Sequence, residues 1–103
     1  MTTSEKVSTV GIRNQITLPK MIREGVNIRE KTPVYIQAVD NVDYLVISLQ
    51  PPVGGVYSKI KISEKGQLVI SKSLWESKGI QGGTNVVFSL INTEKIKVLK
   101  LRE

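Results

Sequence analysis

Apolar and polar positions alternate in short runs along this chain, and the runs come in two matching sets. Val7–Ile12 and Gln15–Leu18 read as extended segments, broken at Arg13-Asn14 and stopped by Pro19. Over Lys20–Val26 the period changes. Ile22 and Val26 share a face at i, i+4 with Leu18 just before them, which predicts about two helical turns. Pro19 suits the first turn, where a missing N–H costs nothing. Val34–Val39 and Tyr44–Leu49 follow as strands, joined by Asp40-Asn41-Val42-Asp43. The second set ends in the same way, with strands at Val86–Ile91 and Ile96–Leu101 joined by Asn92-Thr93-Glu94-Lys95. Each set reads β-β-α-β-β, so the expected fold class is mostly β with short helices.

The two sets are copies. Shifted by 52 positions, residues 7–50 fall on 59–102 without a gap. Gln15 meets Gln67, Lys20 meets Lys72, Glu24 meets Glu76, Ile28 meets Ile80, Val46 meets Val98 and Leu49 meets Leu101. The breaks match as well. Asn14 falls on Gly66 and Asn27 on Gly79, and Asn and Gly are the residues that most readily take positive φ. One pair marks a tight turn between strands, the other a helix C-terminus. A repeat this short cannot easily enclose a core alone, so the copies are expected to build one core together. The chain divides into a flexible tail at 1–6, repeat 1 at 7–50, a Pro/Gly linker at 51–58 and repeat 2 at 59–103.

Composition narrows the chemistry. Cysteine and histidine are both absent, which removes thiolate metal sites and the commonest general base. No nucleophile–base pair or metal-ligand cluster stands out. Ser58-Lys59-Ile60-Lys61 fits S-x-x-K but lacks its companion motifs, and Gly54-Gly55 and Gly82-Gly83 are too sparse for a phosphate loop. The reading is of a non-enzyme with no cofactor, no metal and no small-molecule substrate. The opening MTTSEK has no apolar segment behind it, and the apolar runs are too short to span a bilayer, so a cytoplasmic protein with no membrane partner is expected. Fifteen Lys+Arg against nine Asp+Glu give +6, which favours a polyanionic partner such as nucleic acid. Residues 1–50 hold six basic and five acidic side chains, residues 59–103 nine and four, so the second copy is the more cationic.

The stretch from Val10 to Glu24 resembles the opening of the AbrB/SpoVT-type DNA-binding domain. Gln15, the Ile16/Leu18 pair, Pro19, Ile22, Arg23 and Glu24 carry the likeness, with Ile28 at the end of the helix. Asn14 and Asn27 stand where that family usually has glycines. The second copy is similar through Lys65-Gly66-Gln67-Leu68-Val69-Ile70, Lys72, Leu74, Glu76 and Gly79-Ile80, and departs at Ser71 (usually Pro) and Trp75 (usually Arg). The resemblance implies a swapped-hairpin β-barrel. Two copies in one chain, an MraZ-like arrangement, imply a pseudo-dimer formed by one polypeptide, as a monomer or a homodimer that exchanges halves.

It also implies where DNA is met. The family presents basic residues of its first strand, the loop after it and the short helix. On this chain those positions are Arg13, Arg23, Lys61 and Lys65, then Lys59, and with less support Lys6, Lys20 and Lys72. Arg offers a fork for phosphate or guanine and Lys a mobile point charge. Gln15 and Gln67 could reach a base edge, although a Gln beside a turn more often bonds backbone. Trp75 replaces the helix arginine in copy two, and packing in a core or interface is favoured for it over stacking on a nucleotide.

The expected function is a DNA-binding transcriptional regulator, nucleoid-associated, with double-stranded DNA as partner. Two alternatives stay open. One is an antitoxin-type protein-interaction module on the same fold, against which stands the end of the chain just after the last strand. The other is an architectural protein that coats DNA without sequence preference.

Overall fold

The computed structural model describes residues 6–28, 31–55 and 57–101. Among the described residues, eight strands and two short helices run in the order β1 (Lys6–Thr9), β2 (Gln15–Thr17), α1 (Lys20–Gly25), β3 (Pro33–Ala38), β4 (Tyr44–Ser48), β5 (Tyr57–Lys61), β6 (Gln67–Val69), α2 (Lys72–Glu76), β7 (Asn85–Leu90) and β8 (Lys95–Lys100). The mostly-β reading with two short helices holds. Lys6 belongs to β1 and not to a tail, and residues 1–5 lie outside the described residues. Tyr57 and Ser58 belong to β5, so the linker is shorter than 51–58, with Val56 outside the described residues. The first strand stops at Thr9 because Val10 and Gly11 already enter the turn. Val10 donates its N–H to Thr84 O and Gly11 to Gln15 O.

The larger sheet is antiparallel with strand order β1-β7-β8-β4-β3-β5, and β2 and β6 form a separate antiparallel ribbon. Each repeat contributes its own hairpin, β3–β4 or β7–β8. Every other ladder joins the copies: β1 to β7, β5 to β3, β4 to β8 and β2 to β6. The exchange is reciprocal, since Val7 opposes Val87 just as Lys59 opposes Tyr35. In the ribbon, Ile16 faces its own counterpart Leu68.

The core follows from this pairing. Ile16, Leu18, Ile22, Val34, Ile36, Leu45 and Ile47 of the first copy pack in one cluster with Leu68, Ile70, Trp75, Ile80, Val86, Phe88, Ile96 and Val98 of the second. Alternation puts these side chains on one face of each strand, and burying them supplies the main favourable term. Val46 and Ser48, on the opposite face of β4, are also buried. A shallow groove there is lined by Gln37, Val46, Ser48, Gln50 and the linker residues Pro51, Pro52 and Val53. Ser48 Oγ donates to Gln50 O, and Gln37 Nε2 donates to Gly54 O.

The copies are not gapless to the end. In β8 the core residues are Ile96 and Val98, but in β4 they are Leu45 and Ile47. Ile36 opposes Ile47, while its counterpart Phe88 opposes Val98. The match therefore slips by one residue before the last strand, and the Val46/Val98 and Leu49/Leu101 identities are accidents of spacing. A slip of one residue moves every side chain of a strand to the other face, so burial settles the register. The extra residue lies in the loop between the hairpin strands, five residues after β3 against four after β7. Asn41 takes φ +68° in the longer loop.

Candidate nucleic-acid interface

The ribbon and its two turns form the candidate surface. Ile16 and Leu68 point into the core, which leaves Gln15, Thr17, Gln67 and Val69 on the other face. Each strand is entered through a three-residue hairpin turn. Asn14 N–H bonds Gly11 O and Gly66 N–H bonds Ser63 O, with φ +66° at Asn14 and +78° at Gly66. This is the turn-plus-left-handed-residue form of short hairpins, and it explains why Asn or Gly is needed at this place. The turns stand at opposite ends of the ribbon. One carries Ile12 and Arg13, the other Glu64 and Lys65, and all four are exposed.

The helices flank the turns, each beside the turn of the other copy. Leu18 N–H bonds Gly66 O, so α1 stands at the Lys65 end. Ile70 N–H bonds Asn14 O, so α2 stands at the Arg13 end. Both helices are entered through residues of the same conformation, Pro19 (φ −58°, ψ 148°) and Ser71 (φ −57°, ψ 145°). Proline's ring fixes that φ in advance, and serine reaches it without help. Both end in a Schellman arrangement. Ile28 N–H returns to Arg23 O and Asn27 N–H to Glu24 O. Ile80 and Gly79 do the same with Trp75 and Glu76. Asn27 (φ +54°) and Gly79 (φ +69°) are the left-handed residues, as their pairing predicts.

This crossing decides where the charges go. Half-buried Arg23 donates from Nε to Leu18 O at 3.0 Å and lays its guanidinium over Gly66, where a Cβ would come within 2.8 Å of Cζ. Arg23 of the first copy thus lies against the turn that carries Lys65 of the second. Lys20 follows Leu18 at the same end, and Lys61 leaves β5 just before that turn. At the Arg13 end, Trp75 takes the arginine's place. It is fully buried, and its Nε1–H donates to Asn14 O at 3.0 Å, so it is a core residue and offers no face for stacking. Exposed Lys72 lines a groove there with Ile12, Asn14 and Gln81. Thr9 holds the place of Lys61 and donates to Asn85 Oδ1 at 2.6 Å. Lys20, Arg23, Lys61 and Lys65 therefore share one end, and Arg13 and Lys72 the other. Among the described residues, no strand contains an acidic residue.

The remaining candidates separate. Lys59 lies within β5. Its Nζ sits 5.9 Å from the Tyr35 ring centroid on the outer face of the large sheet. Lys6 opposes buried Phe88 and is half-buried, which places it on the core-facing side of β1, away from the face of Lys59. The two glutamines differ for a reason that the pairing Gly11/Ser63 shows. Gln15 folds back over Gly11, where any Cβ would collide with it, and its Oε1 accepts the Arg13 N–H at 2.9 Å. In the second copy Ser63 Oγ serves the turn instead, accepting from Lys65 N–H at 3.3 Å and Gln67 N–H at 3.0 Å. Gln67 is left on the exposed ribbon face, its Nε2 3.5 Å from Thr17 Oγ1.

Two lysines carry roles that the sequence did not suggest. Lys78 Nζ donates to Val39 O and Val42 O, both at 2.7 Å, so it fastens the longer hairpin loop. Its match is buried Val26, a pairing that hides the role. Lys31 takes φ +63°, and its match Gly83 takes +91°. This is a third shared left-handed position, masked by lysine's being an unusual occupant.

No family model matches the chain, and no curated protein matches it. A solved structure, described as "The solution structure of PHS018 from pyrococcus horikoshii", is similar over 100% of this chain and 100% of its own, at 17% sequence identity and a TM-score of 0.47. Among the described residues, no helix is long and apolar enough to cross a membrane.

Proposed function

We propose that this chain is a DNA-binding regulator of the AbrB type, a swapped-hairpin pseudo-dimer that meets duplex DNA through the ends of its ribbon. The reading is carried by one observation: reciprocal exchange of strands between the copies sets Arg23 of one repeat against the turn of the other that bears Lys65. Support for the swapped form comes from ladders that join β1 to β7 and β5 to β3. Cations grouped on one end of a compact body displace counterions from DNA, and a fork such as Arg23 can hold phosphate or guanine. Because the exchange concentrates charge, the two ends bind unequally, and an asymmetric site is the expected target. Nucleoid association follows from the same reading.

The test is titration of labelled duplexes at several salt concentrations. Log K is expected to fall linearly with log salt, by roughly 0.9 per phosphate neutralised. Flat salt dependence, or no binding at low salt, would overturn the proposal. A panel of unrelated duplexes then distinguishes a regulator from a protein that coats DNA, since the regulator prefers some and the coating protein none.

A further inference from the structure

A lysine occupies a backbone position that asks for glycine, and the twin position has the glycine. Lys31 and Gly83 are matched, with φ of +63° and +91°. Both donate N–H to the end of an opening strand, Lys31 to Ile62 O at 2.8 Å and Gly83 to Val10 O at 2.8 Å. The backbone demand is therefore the same in both copies. A side chain in the left-handed region is strained, and lysine has no short polar group to bond its own backbone there as Asn or Asp would. The fold gains nothing visible from it, since Lys31 is exposed.

Its location suggests what it is for. Lys31 sits beside the exit of β5: it bonds Ile62, which directly follows Lys61 and stands three residues before Lys65, and Ile62 N–H returns a bond to Thr32 O. It belongs to the end of the ribbon that already holds Lys20, Arg23, Lys61 and Lys65. At the other end, where Arg13 and Lys72 stand, the same position is Gly83.

We infer that Lys31 is a further DNA-contacting residue, a cation retained against backbone strain to neutralise a phosphate at the Lys65 end. This rests on the DNA-binding reading above and adds a residue and a polarity to it. The role is electrostatic: an ammonium on a mobile stem serves phosphate and carries no base information.

The experiment compares unmodified chain, Lys31→Gly, Lys31→Asn and Lys95→Ala by titrating a labelled duplex at several salt concentrations, with thermal melting of each. Lys95 is an exposed strand lysine that opposes Ser48, away from the ribbon turns, and controls for loss of net charge alone. Lys31→Gly is expected to melt at or above the unmodified chain and yet to bind several-fold more weakly, with the salt slope reduced by roughly 0.9. Lys31→Asn, which also tolerates this φ, is expected to bind like Lys31→Gly. The inference is overturned if both variants bind as tightly as the unmodified chain, or lose no more than Lys95→Ala. If the unmodified chain itself binds no duplex, the underlying reading fails and this one with it.

Discussion

At the scale of the residue, the informative positions are those where the copies disagree. Asn14 and Gly66 share a backbone demand, but their surroundings differ. Gly66 lies under the Arg23 guanidinium, and Asn14 presents its carbonyl to Trp75. Asn/Gly and Trp/Arg therefore exchange together, each with its partner from the other copy. Gly66→Asn would satisfy φ and still collide with Arg23, so a loss of about 1 kcal/mol in denaturant unfolding is expected. Asn14→Gly should change stability by only a few tenths. Trp75→Ala removes the largest buried side chain and is expected to cost about 3–5 kcal/mol, whereas Trp75→Phe forfeits mainly the bond to Asn14 O, about 1 kcal/mol. Much of this was legible in the sequence. The two Asn/Gly pairs announced positive φ, and Trp75 as a lone tryptophan announced packing. Lys31 was not legible, because nothing in a lysine's chemistry signals a left-handed backbone. Nor were the unlike roles of Gln15 and Gln67, which depend on whether Gly11 or Ser63 sits four residues earlier.

At the scale of the element, strand and helix positions followed from periodicity, and their ends moved by at most three residues. The register of the last strand did not follow. Val46/Val98 looked like an identity, but core burial of Leu45 and Ile47 shifts β4 by one. Adjacent apolar residues in Tyr44-Leu45-Val46-Ile47 leave the inward face undecided until the partner strands are known. The longer loop that absorbs the slip is held by Lys78, whose ammonium spans two carbonyls. Lys78→Met keeps the stem and removes both bonds. It is expected to lower stability by about 1.5–3 kcal/mol and to leave DNA affinity unchanged at temperatures where the chain is folded. Urea unfolding and a duplex titration of the same sample check both halves of that expectation.

At the scale of the whole molecule, strand exchange turns two similar halves into two unlike ends. Sequence alone placed Arg23 in the first copy and Lys61 and Lys65 in the more cationic second, and did not show that the three share one end. The pairing of β2 with β6, and of each helix with the other copy's turn, brings them to one place. Arg23→Ala and Lys61→Ala are therefore each expected to weaken duplex binding several-fold while the chain stays folded, as circular dichroism would report. The most direct test of a one-ended interface uses matched positions. Lys20 and Lys65 at one end correspond to Lys72 and Arg13 at the other, and all four are exposed. The doubles Lys20→Ala/Lys65→Ala and Arg13→Ala/Lys72→Ala remove equal charge from equivalent places. Measured by duplex titration across a salt series, the first is predicted to lose more affinity and more salt slope than the second. Equal losses, or a larger loss from the second, would contradict the account.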